Sequence, residues 1–520
     1  MRSLLVSIST LAMLVVTITR GAWAASSVPR PPDPPGRVYI VLWFDTEDYI
    51  LPQSDDAAKR IALFLSSQGV RATFKVVGEK ARTLERRGRS DVIQALAAHE
   101  IGYHANTHSQ HPTPAEYESK LGWEDGVEEF TRRERSGFED VRRIFGKTPT
   151  AYGQPGSSWA PQAFGALNGW GVGVYLDEAG HVGLDGKPFW YGGLLNIFST
   201  REGPELRPND DWSNLAEAKQ KFEGFYRALS SRPQGGIISL YFHPCEFIHR
   251  EFWDGVNFAR GANPPRDQWK LPPMKSPEES ERAFQYLQGL VAYMKSFPQV
   301  QFVTASDARA LYADRAQGRS FAPAELANVA RSLTSEVSFQ TYQDYTLSAA
   351  EVFVLMNTLV SEWVRHKSLP AQVVLSGTPY GPDLTPDASL DFGPLRTASA
   401  GSKTEAAWDQ FARTSLDVEG FVSKNQRIPN VIWLGSAAVA PERYLAALGK
   451  VGGALLAGQA PPATVEIAPA RLAAAEYVAA DTTSLWDWVI FPPGFHSPHL
   501  MDLARLQAWT LKPALLQSRP

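Results

Sequence analysis

Apolar runs of strand length alternate with amphipathic segments between residues 37 and 315 of the chain. RVYIVLWF (37–44) is rich in β-branched and aromatic residues and runs into the acidic turn DTED, which is typical of a buried strand. DDAAKRIALFLSSQGV (55–70) has apolar residues at helical spacing and a glycine near its end, which predicts a helix. Further strands are predicted at RATFKVVG, EIGYH, GVGVYLDE, GGIISLYFH and QFVTASD. Buried strands that alternate with helices predict an α/β fold on a parallel sheet or barrel.

The pattern changes beyond residue 320, where alanine, leucine and proline become more frequent. We therefore predict a mainly helical C-terminal domain over residues 320–520. Within it, SAAEVFVLM (348–356) and APERYLAAL (440–448) both place a glutamate two residues before an aromatic residue. This echo indicates either two related helical units or two ordinary amphipathic helices that look alike.

An export signal is predicted at the N-terminus. Arg2 precedes an apolar stretch that ends at Ala22-Trp23-Ala24, which predicts a signal peptide over residues 1–24. The alternative is an uncleaved membrane anchor, but the stretch is shorter than the roughly twenty apolar residues that span a bilayer. A proline-rich linker follows over residues 25–36. We expect an exported protein that is periplasmic, secreted or held at the cell surface.

Composition excludes several classes of partner. The net charge of −4 over 520 residues gives no basic surface for nucleic acid. No other stretch is apolar enough to cross a bilayer, so we expect no membrane span in the mature chain. Cys245 is the single cysteine, which excludes an intramolecular disulfide. The mature chain must therefore be stabilised by a large apolar core.

Two clusters of chemically competent residues follow predicted strands. In FDTED (44–48), strand alternation points Asp45 and Glu47 to one side and Asp48 to the other, at a sheet edge where active sites form. In EIGYHANTHSQHP (100–112), His104 and His108 are close enough in sequence to reach one ion. Two histidines and one carboxylate are a common catalytic metal set. Alternatively, the acidic turn is simply solvated, and His111 either joins the set or, as Pro112 indicates, already leaves it.

The motifs VYIVLWFDTED, RATFKVVG, HEIGYHANTH and IISLYFHPCEF occur in the order and spacing of a known family. The chain resembles the polysaccharide deacetylase family, the NodB homology domain of carbohydrate esterase family 4, over about residues 37–312. The resemblance implies an α/β fold of the distorted (β/α) barrel type over residues 37–315, followed by the helical domain.

The resemblance also implies roles for individual residues. Asp45 falls at the general base, His104 and His108 at the metal-binding histidines, and His243 at the general acid. Asp177 falls near the acidic residue that orients the general acid in some members. The implied cofactor is a divalent metal ion, with zinc as the expected ion.

Two departures from the family pattern affect the expected site. Thr46 occupies the position of the usual second aspartate, so the third metal ligand is either Glu47, which alternation favours, or Asp48. Gln154 in YGQPGSSW (152–159) stands where an arginine usually pairs with the base, so Asp45 is expected to lose part of its charge stabilisation. Gln154 and Trp159 are candidate substrate contacts, with core packing as the alternative for Trp159.

The predicted function is an exported, metal-dependent hydrolase that removes N-acetyl groups from a chitin-like or peptidoglycan-like polysaccharide, its expected partner. The alternatives are a catalytically impaired carbohydrate-binding protein on the same fold and an amidase for a small non-sugar amide. Residues 320–520 faintly resemble wall-binding helical repeats, which predicts either a carbohydrate-binding role or a helical domain packed on the barrel. His496 and His499 are predicted to be a polar pair in a loop.

Overall fold

Six of the first nine strands follow the predicted apolar runs. The computed structural model describes residues 36–177, 180–198, 206, 212–384 and 404–517. The strands are β1 Val38–Thr46, β2 Thr73–Val76, β3 Glu100–Tyr103, β4 Ala151–Tyr152, β5 Val174–Asp177, β6 Phe189–Tyr191, β7 Leu194–Phe198, β8 Gly236–Phe242 and β9 Val300–Val303. The predicted signal peptide (1–24) and almost all of the predicted linker (25–36) lie outside the described residues.

Ten helices accompany these strands among the described residues. They are α1 Gln53–Ser67, α2 Gly78–Arg86, α3 Ser90–Ala97, α4 Pro114–Glu118, α5 Trp123–Phe145, α6 Gln162–Gly169, α7 Leu215–Ser230, α8 Trp253–Phe258, α9 Pro277–Lys295 and α10 Ala305–Leu311. The helix predicted from its apolar spacing is α1, and the chain turns away just after it at Gly69, where φ is +64°. A left-handed backbone of this kind favours glycine, which explains why the helix ends there.

The remaining chain consists of five helices and short strands among the described residues. The helices are α11 Pro323–Arg331, α12 Ala349–His366, α13 Trp408–Asn425, α14 Pro441–Leu456 and α15 Pro498–Gln507. The strands are β10 Ser320–Phe321, β11 Glu336–Val337, β12 Gln340–Thr341, β13 Thr346–Leu347, β14 Val373–Val374, β15 Thr404–Ala407, β16 Ile432–Leu434, β17 Ala437–Val439, β18 Thr464–Ile467, β19 Arg471–Leu472 and β20 Lys512–Pro513. Helices α12 and α14, which carry the glutamate-aromatic echo, are joined by a hydrogen bond from the Tyr444 hydroxyl to Asn357 Oδ1 at 2.9 Å.

One large sheet organises the α/β part. Its strand order is β20-β6-β7-β5-β4-β3-β2-β1-β8, and β9 also pairs with β1. Every pairing is parallel except β6 with β7 and β20 with β6. The predicted α/β fold on a parallel sheet is therefore confirmed. Among the described residues no pairing joins β8 to β20, so closure into a barrel is not seen.

Strand β1 is buried on both faces. Its residues Val38, Ile40, Leu42 and Phe44 lie in the largest hydrophobic cluster, which contains the helices' apolar faces. Tyr39, Val41 and Trp43 lie in a second cluster with residues of β4, β5, β7 and β8. Strands distant in the pairing order thus share one small core, which shows that the sheet curves around it. This second face leads directly to Asp45.

Residues 35–520 form one compact unit. A third cluster is built by residues 316–467 with Trp509, whereas most apolar residues from 474 to 511 pack into the core of the α/β part. No helix within the described residues has both the length and the apolar character needed to cross a membrane.

Candidate active site

The acidic turn after β1 divides its carboxylates as strand alternation predicts. Asp45 and Glu47 face the same cavity, whose volume is about 400 Å³. Asp48 faces away: its Oδ1 accepts hydrogen bonds from the backbone N–H groups of Ile50 (2.8 Å) and Leu51 (3.1 Å), and its Oδ2 lies 3.0 Å from His249. Asp48 therefore holds the turn, and Glu47 is the carboxylate available to an ion.

Glu47, His104 and His108 form a three-residue group whose ligand atoms all lie within 4.8 Å of one another. Glu47 Oε2 is 2.8 Å from His108 Nε2 and 3.4 Å from His104 Nε2. The other carboxylate oxygen, Oε1, accepts a hydrogen bond from Trp253 Nε1 at 3.0 Å. All three ligand candidates are buried. The group offers two nitrogens and one oxygen to a single point.

A contact at Nδ1 orients each of the two imidazoles. His104 Nδ1 lies 2.9 Å from the carbonyl oxygen of Gly153, which can only accept, so Nδ1 carries the proton in this bond and Nε2 keeps its lone pair. His108 Nδ1 is 2.6 Å from Ser109 Oγ, and its buried Nε2 makes no hydrogen bond of suitable geometry with any described residue. Both free nitrogens point at Glu47. Metal-binding histidines are typically held in this way.

The backbone of the histidine loop is strained. Ala105 has φ of +65° and His108 has φ of +57°, a region that residues with a Cβ rarely occupy. Such conformations cost about 1–3 kcal/mol each and persist where the surrounding structure requires them, often at functional sites. Here the strain places the His108 ring next to that of His104, with ring centroids 4.9 Å apart.

The pKa shifts of Glu47 and His104 run in the direction that favours metal binding. Burial raises the pKa of Glu47, but the interactions with His108, His243 and His104 outweigh it, so that pKa lies well below its ordinary value. Burial lowers the pKa of His104 below its ordinary value despite the nearby carboxylates. An ionised carboxylate and a neutral imidazole are the forms that bind a metal ion.

Lys75 supplies the positive charge that the sequence appeared to lack. It pairs directly with Asp45 in the register between β1 and β2, and its Nζ lies 3.0 Å from Asp45 Oδ1. Its Nζ also donates to the carbonyl oxygen of Leu176 at 2.6 Å and sits 4.1 Å from the centre of the Trp43 ring. The ammonium is fully buried.

Two glycines make room for this lysine. A Cβ on Gly102, the register partner of Lys75 on β3, would lie 2.9 Å from Lys75 Cγ. A Cβ on Gly153 would lie 1.8 Å from Lys75 Nζ. Burial alone would raise the pKa of Asp45, yet that pKa lies below its ordinary value because the interactions with His104 and Lys75 outweigh burial. Lys75, on β2, therefore offsets the expected loss of charge stabilisation at Asp45.

His243, at the end of β8, faces the same carboxylates. Its Nε2 is 3.8 Å from Asp45 Oδ2 and 4.0 Å from Glu47 Oε2. Its Nδ1 lies 3.5 Å from Oε2 of Glu246, whose Oε1 accepts a hydrogen bond from the His243 backbone N–H at 3.2 Å. Glu246, three residues further along, therefore orients the imidazole, a role that the resemblance implies for Asp177.

Asp177 and Gln154 lie beside Lys75 instead. Gln154 Nε2 donates to Asp177 Oδ1 at 2.9 Å, and Gln154 Oε1 accepts from the Tyr175 hydroxyl at 2.5 Å. Asp177 Oδ2 is 3.7 Å from Lys75 Nζ. Both residues line the cavity, so Gln154 remains a candidate substrate contact while it holds Asp177 in place.

The other residues singled out from the sequence lie behind or outside the cavity. Trp159 is 1% exposed and stacks on His181 with ring centroids 4.9 Å apart, so core packing accounts for it. His111 pairs with Glu116 at 2.8 Å and is not part of the metal group. His496 pairs with Asp481, and His499 lies 2.9 Å from the carbonyl oxygen of Leu121.

The sequence reading missed one whole side of the cavity. Residues 484–489, from the C-terminal part, supply five of its lining residues: Ser484, Leu485, Asp487, Trp488 and Val489. Trp488 meets the His108 ring edge-on, with centroids 5.2 Å apart. No local pattern marks this stretch as functional, because its role depends on packing against residues far away in sequence.

No protein-family model and no curated protein sequence matches the chain. The fold is similar to solved structures of carbohydrate esterase family 4 polysaccharide deacetylases over about half of the chain. One is a family 4 acetyl xylan esterase from Clostridium thermocellum in complex with a cobalt ion (16% identity, 53% of this chain, 91% of that chain, TM-score 0.28). Another is the Xyl-CE4 domain of a multidomain xylanase from the hindgut metagenome of Trinervitermes trinervoides (12% identity, 53% of this chain, 90% of that chain, TM-score 0.29). The allantoinase PuuE is also similar (14% identity, 58% of this chain, 99% of that chain, TM-score 0.35). At these identities the likeness concerns the fold alone.

Proposed function

We propose that the chain is an exported, divalent-metal-dependent hydrolase that removes N-acetyl groups from a polysaccharide. The observation that carries the proposal is that Glu47, His104 and His108 share one cavity with Asp45 and His243. A distorted (β/α) barrel, in which the curved sheet surrounds this site, is part of the proposal. Export rests on the predicted signal peptide.

The donor set supports a metal ion in this cavity. Two imidazole nitrogens and a carboxylate oxygen converge, His108 Nε2 is a buried atom without a hydrogen bond among the described residues, and second contacts fix both rings. Zinc commonly binds such a set with a position left for water or substrate, and we propose zinc here. When bound, the ion lowers the pKa of a water molecule and polarises an amide carbonyl.

Asp45 is the proposed general base. Its Oδ1 is held by Lys75 at 3.0 Å, while its Oδ2 faces the cavity and His243. The lysine keeps the carboxylate ionised and fixes its rotamer, so that one oxygen is directed at the place where water is activated. Asp45 would accept the proton of the attacking water.

His243 is the proposed general acid. Glu246 contacts Nδ1 and leaves Nε2 directed into the cavity. A proton on Nε2 can pass to the departing nitrogen of the sugar as the carbon–nitrogen bond breaks. The carboxylate of Glu246 stabilises the protonated ring until that transfer. Acid and base thus come from β8 and β1, which the sheet pairs directly.

Acetate release tests this proposal directly. The mature chain, loaded with zinc, is expected to release acetate from N-acetylchitooligosaccharide. His108→Ala and Glu47→Gln should each lower the rate at least about 100-fold, since both disturb the group that stabilises the transition-state charge. His496→Ala is the matched control, because it removes an exposed histidine outside the cavity.

Two outcomes contradict the proposal. Sugar binding without acetate release under any divalent metal identifies a carbohydrate-binding protein. Release from a small non-sugar amide but from no sugar identifies an amidase instead.

A further inference from the structure

The side of the cavity formed by residues 484–489 is firmly anchored to the α/β part. Trp488 Nε1 donates to Asp254 Oδ2 at 2.8 Å, and the Trp488 backbone N–H donates to Ser157 Oγ at 3.1 Å. The carbonyl oxygen of Val489 accepts from the backbone N–H of Arg260 at 3.0 Å. We call residues 484–489 the C-terminal wall. It is a fixed surface that a ligand meets on entering.

Close packing at one glycine confirms that the wall is built into the site. Gly156 has φ of +49°, and a Cβ there would lie 2.2 Å from Trp488 Cδ2. The residue after the wall, Ile490, is fully buried with Tyr49, Val77 and Trp253. A side chain at position 156 would therefore collide with the C-terminal wall.

Apart from its histidines, the ionisable residues that line the cavity are all acidic. Besides Asp45 and Glu47, the lining includes Asp177, Asp254 and Asp487, whereas no lysine or arginine is found among the described lining residues. Lys75 lies behind the floor, fully buried, where it is paired with Asp45. The two charges of a divalent ion would offset Glu47 and Asp45. The walls of the cavity would keep an excess of negative charge from the remaining carboxylates. Low-dielectric walls concentrate such a field on whatever enters.

Asp254 is the most unusual of these carboxylates. It is 4% exposed, and its oxygens accept hydrogen bonds from Trp488 Nε1 and from the backbone N–H of Gly255. Burial, with Glu47 adding to the effect, raises its pKa above the ordinary value. A ligand that brings hydroxyl donors or an ammonium group would reduce the free-energy cost of burying the ionised Asp254 carboxylate. An anionic ligand would increase that cost. Asp487, by contrast, is exposed at the mouth.

We infer that the C-terminal wall and Asp254 select an uncharged or cationic amino-sugar chain and reject N-acetylated chains that carry carboxylates. This inference rests on the proposed function and narrows its substrate from acetylated polysaccharides in general to the chitin type. Deacetylation creates ammonium groups along the chain, so the product of one turnover would remain a suitable ligand. Charge repulsion of this kind is an effective way to discriminate between similar ligands.

A binding measurement separates this inference from turnover. N-acetylchitotetraose and a hyaluronan tetrasaccharide both carry N-acetylglucosamine, but only the second carries carboxylates. Calorimetric titration of the chelator-treated mature chain at low ionic strength is expected to give at least about tenfold tighter binding of the neutral chain. Asp487→Lys should narrow that ratio about fivefold. Asp409→Lys, which makes the same charge change at an exposed position of α13 outside the cavity, should leave the ratio unchanged.

Each outcome is decisive. Equal or tighter binding of the hyaluronan chain, no binding of either chain, or the same ratio in Asp487→Lys and Asp409→Lys overturns the inference. If the ratio holds but no acetate is released from either chain, the inference stands and the proposed hydrolase activity fails. If acetate is released while the ratio is near one, the activity stands and the inference fails.

Discussion

Lys75 and Lys512 are both buried and each contacts two carboxylates, yet only Lys75 borders the candidate active site. Lys75 lies on β2 next to Asp45 and Asp177. Lys512 lies on β20, where its Nζ is 2.7 Å from Glu351 Oε1 and 2.7 Å from Asp314 Oδ2. The two centres hold similar charges and both lysines are buried. They differ in the other contacts that their carboxylates make.

The Glu351 carboxylate at Lys512 is saturated with hydrogen bonds. Glu351 Oε1 also accepts from Gln317 Nε2 at 2.6 Å and from the Thr378 hydroxyl at 2.5 Å. At Lys75, Asp45 Oδ2 instead faces the candidate active site and lies 3.8 Å from His243 Nε2. A saturated network fixes the fold, whereas a partly satisfied one leaves a charged oxygen ready to act on a ligand. The comparison predicts that Lys512 matters for stability and Lys75 for activity.

Removal of the Lys512 charge should give the largest effect. Lys512→Met leaves the buried Glu351 and the partly buried Asp314 without this cation and is expected to lower the free energy of unfolding by about 3–5 kcal/mol. Urea denaturation measures this, with the exposed Lys450→Met as control. The activity per folded molecule should not change. A loss of activity without a loss of stability would reverse the assignment of the two centres.

Glu118 sharpens the comparison, because it is a buried carboxyl that forms no ion pair with any residue the structure describes. Both of its oxygens lack a hydrogen-bond partner among the described residues, and burial raises its pKa from 4.5 to about 9. A raised folded-state pKa gives stability that is complete below pH 4.5 and is lost as the pH rises towards 9. Glu118→Gln should remove this loss. Its free energy of unfolding relative to that of the wild type should therefore be about 3 kcal/mol more favourable at pH 7 than at pH 4.5. Parallel slopes of unfolding free energy against pH for variant and wild type would contradict the account.

Lys75→Met should mainly affect catalysis. The Lys75 charge lowers the pKa of Asp45 from 3.0 Å away, so its loss favours the protonated, inactive base, and kcat/KM for acetate release is expected to fall roughly 10- to 100-fold. Lys75→Arg, which keeps the charge in a larger group, is the comparison variant. Unchanged kcat/KM in folded Lys75→Met would show that Asp45 does not depend on the lysine.

Gly153→Ala tests the same contact with the smallest change. The added methyl group would lie 1.8 Å from Lys75 Nζ and must displace the ammonium or the loop. We expect a loss of roughly tenfold in kcat/KM, because small displacements at a reacting group are costly. Gly183→Ala has open space around its Cβ and is the control. Equal kinetics for the two variants would indicate that the room left by Gly153 has no functional role.

The parts of the site that sequence predicts are those set by local spacing. Asp45 and Glu47 alternate on one strand end, and His104 and His108 lie within one loop, so their convergence could be foreseen. The register between β1 and β2 could not, although a lysine inside the buried run TFKV was a signal for the partner of Asp45. The C-terminal wall depends on contacts across more than half of the chain. The antiparallel strands β6 and β20, at one end of the sheet, are hidden for the same reason and are only three and two residues long.

The most direct test of the account is the stoichiometry of metal binding. Calorimetric titration of zinc into the chelator-treated mature chain should show one tight site per chain in the wild type and in His111→Ala, whose histidine belongs to the same loop but pairs with Glu116. His108→Ala should bind at least about 100-fold more weakly, since one of three ligands is lost. Equal zinc affinity in His108→Ala, or no zinc binding by the folded wild type, would contradict the claim that Glu47, His104 and His108 form a metal centre.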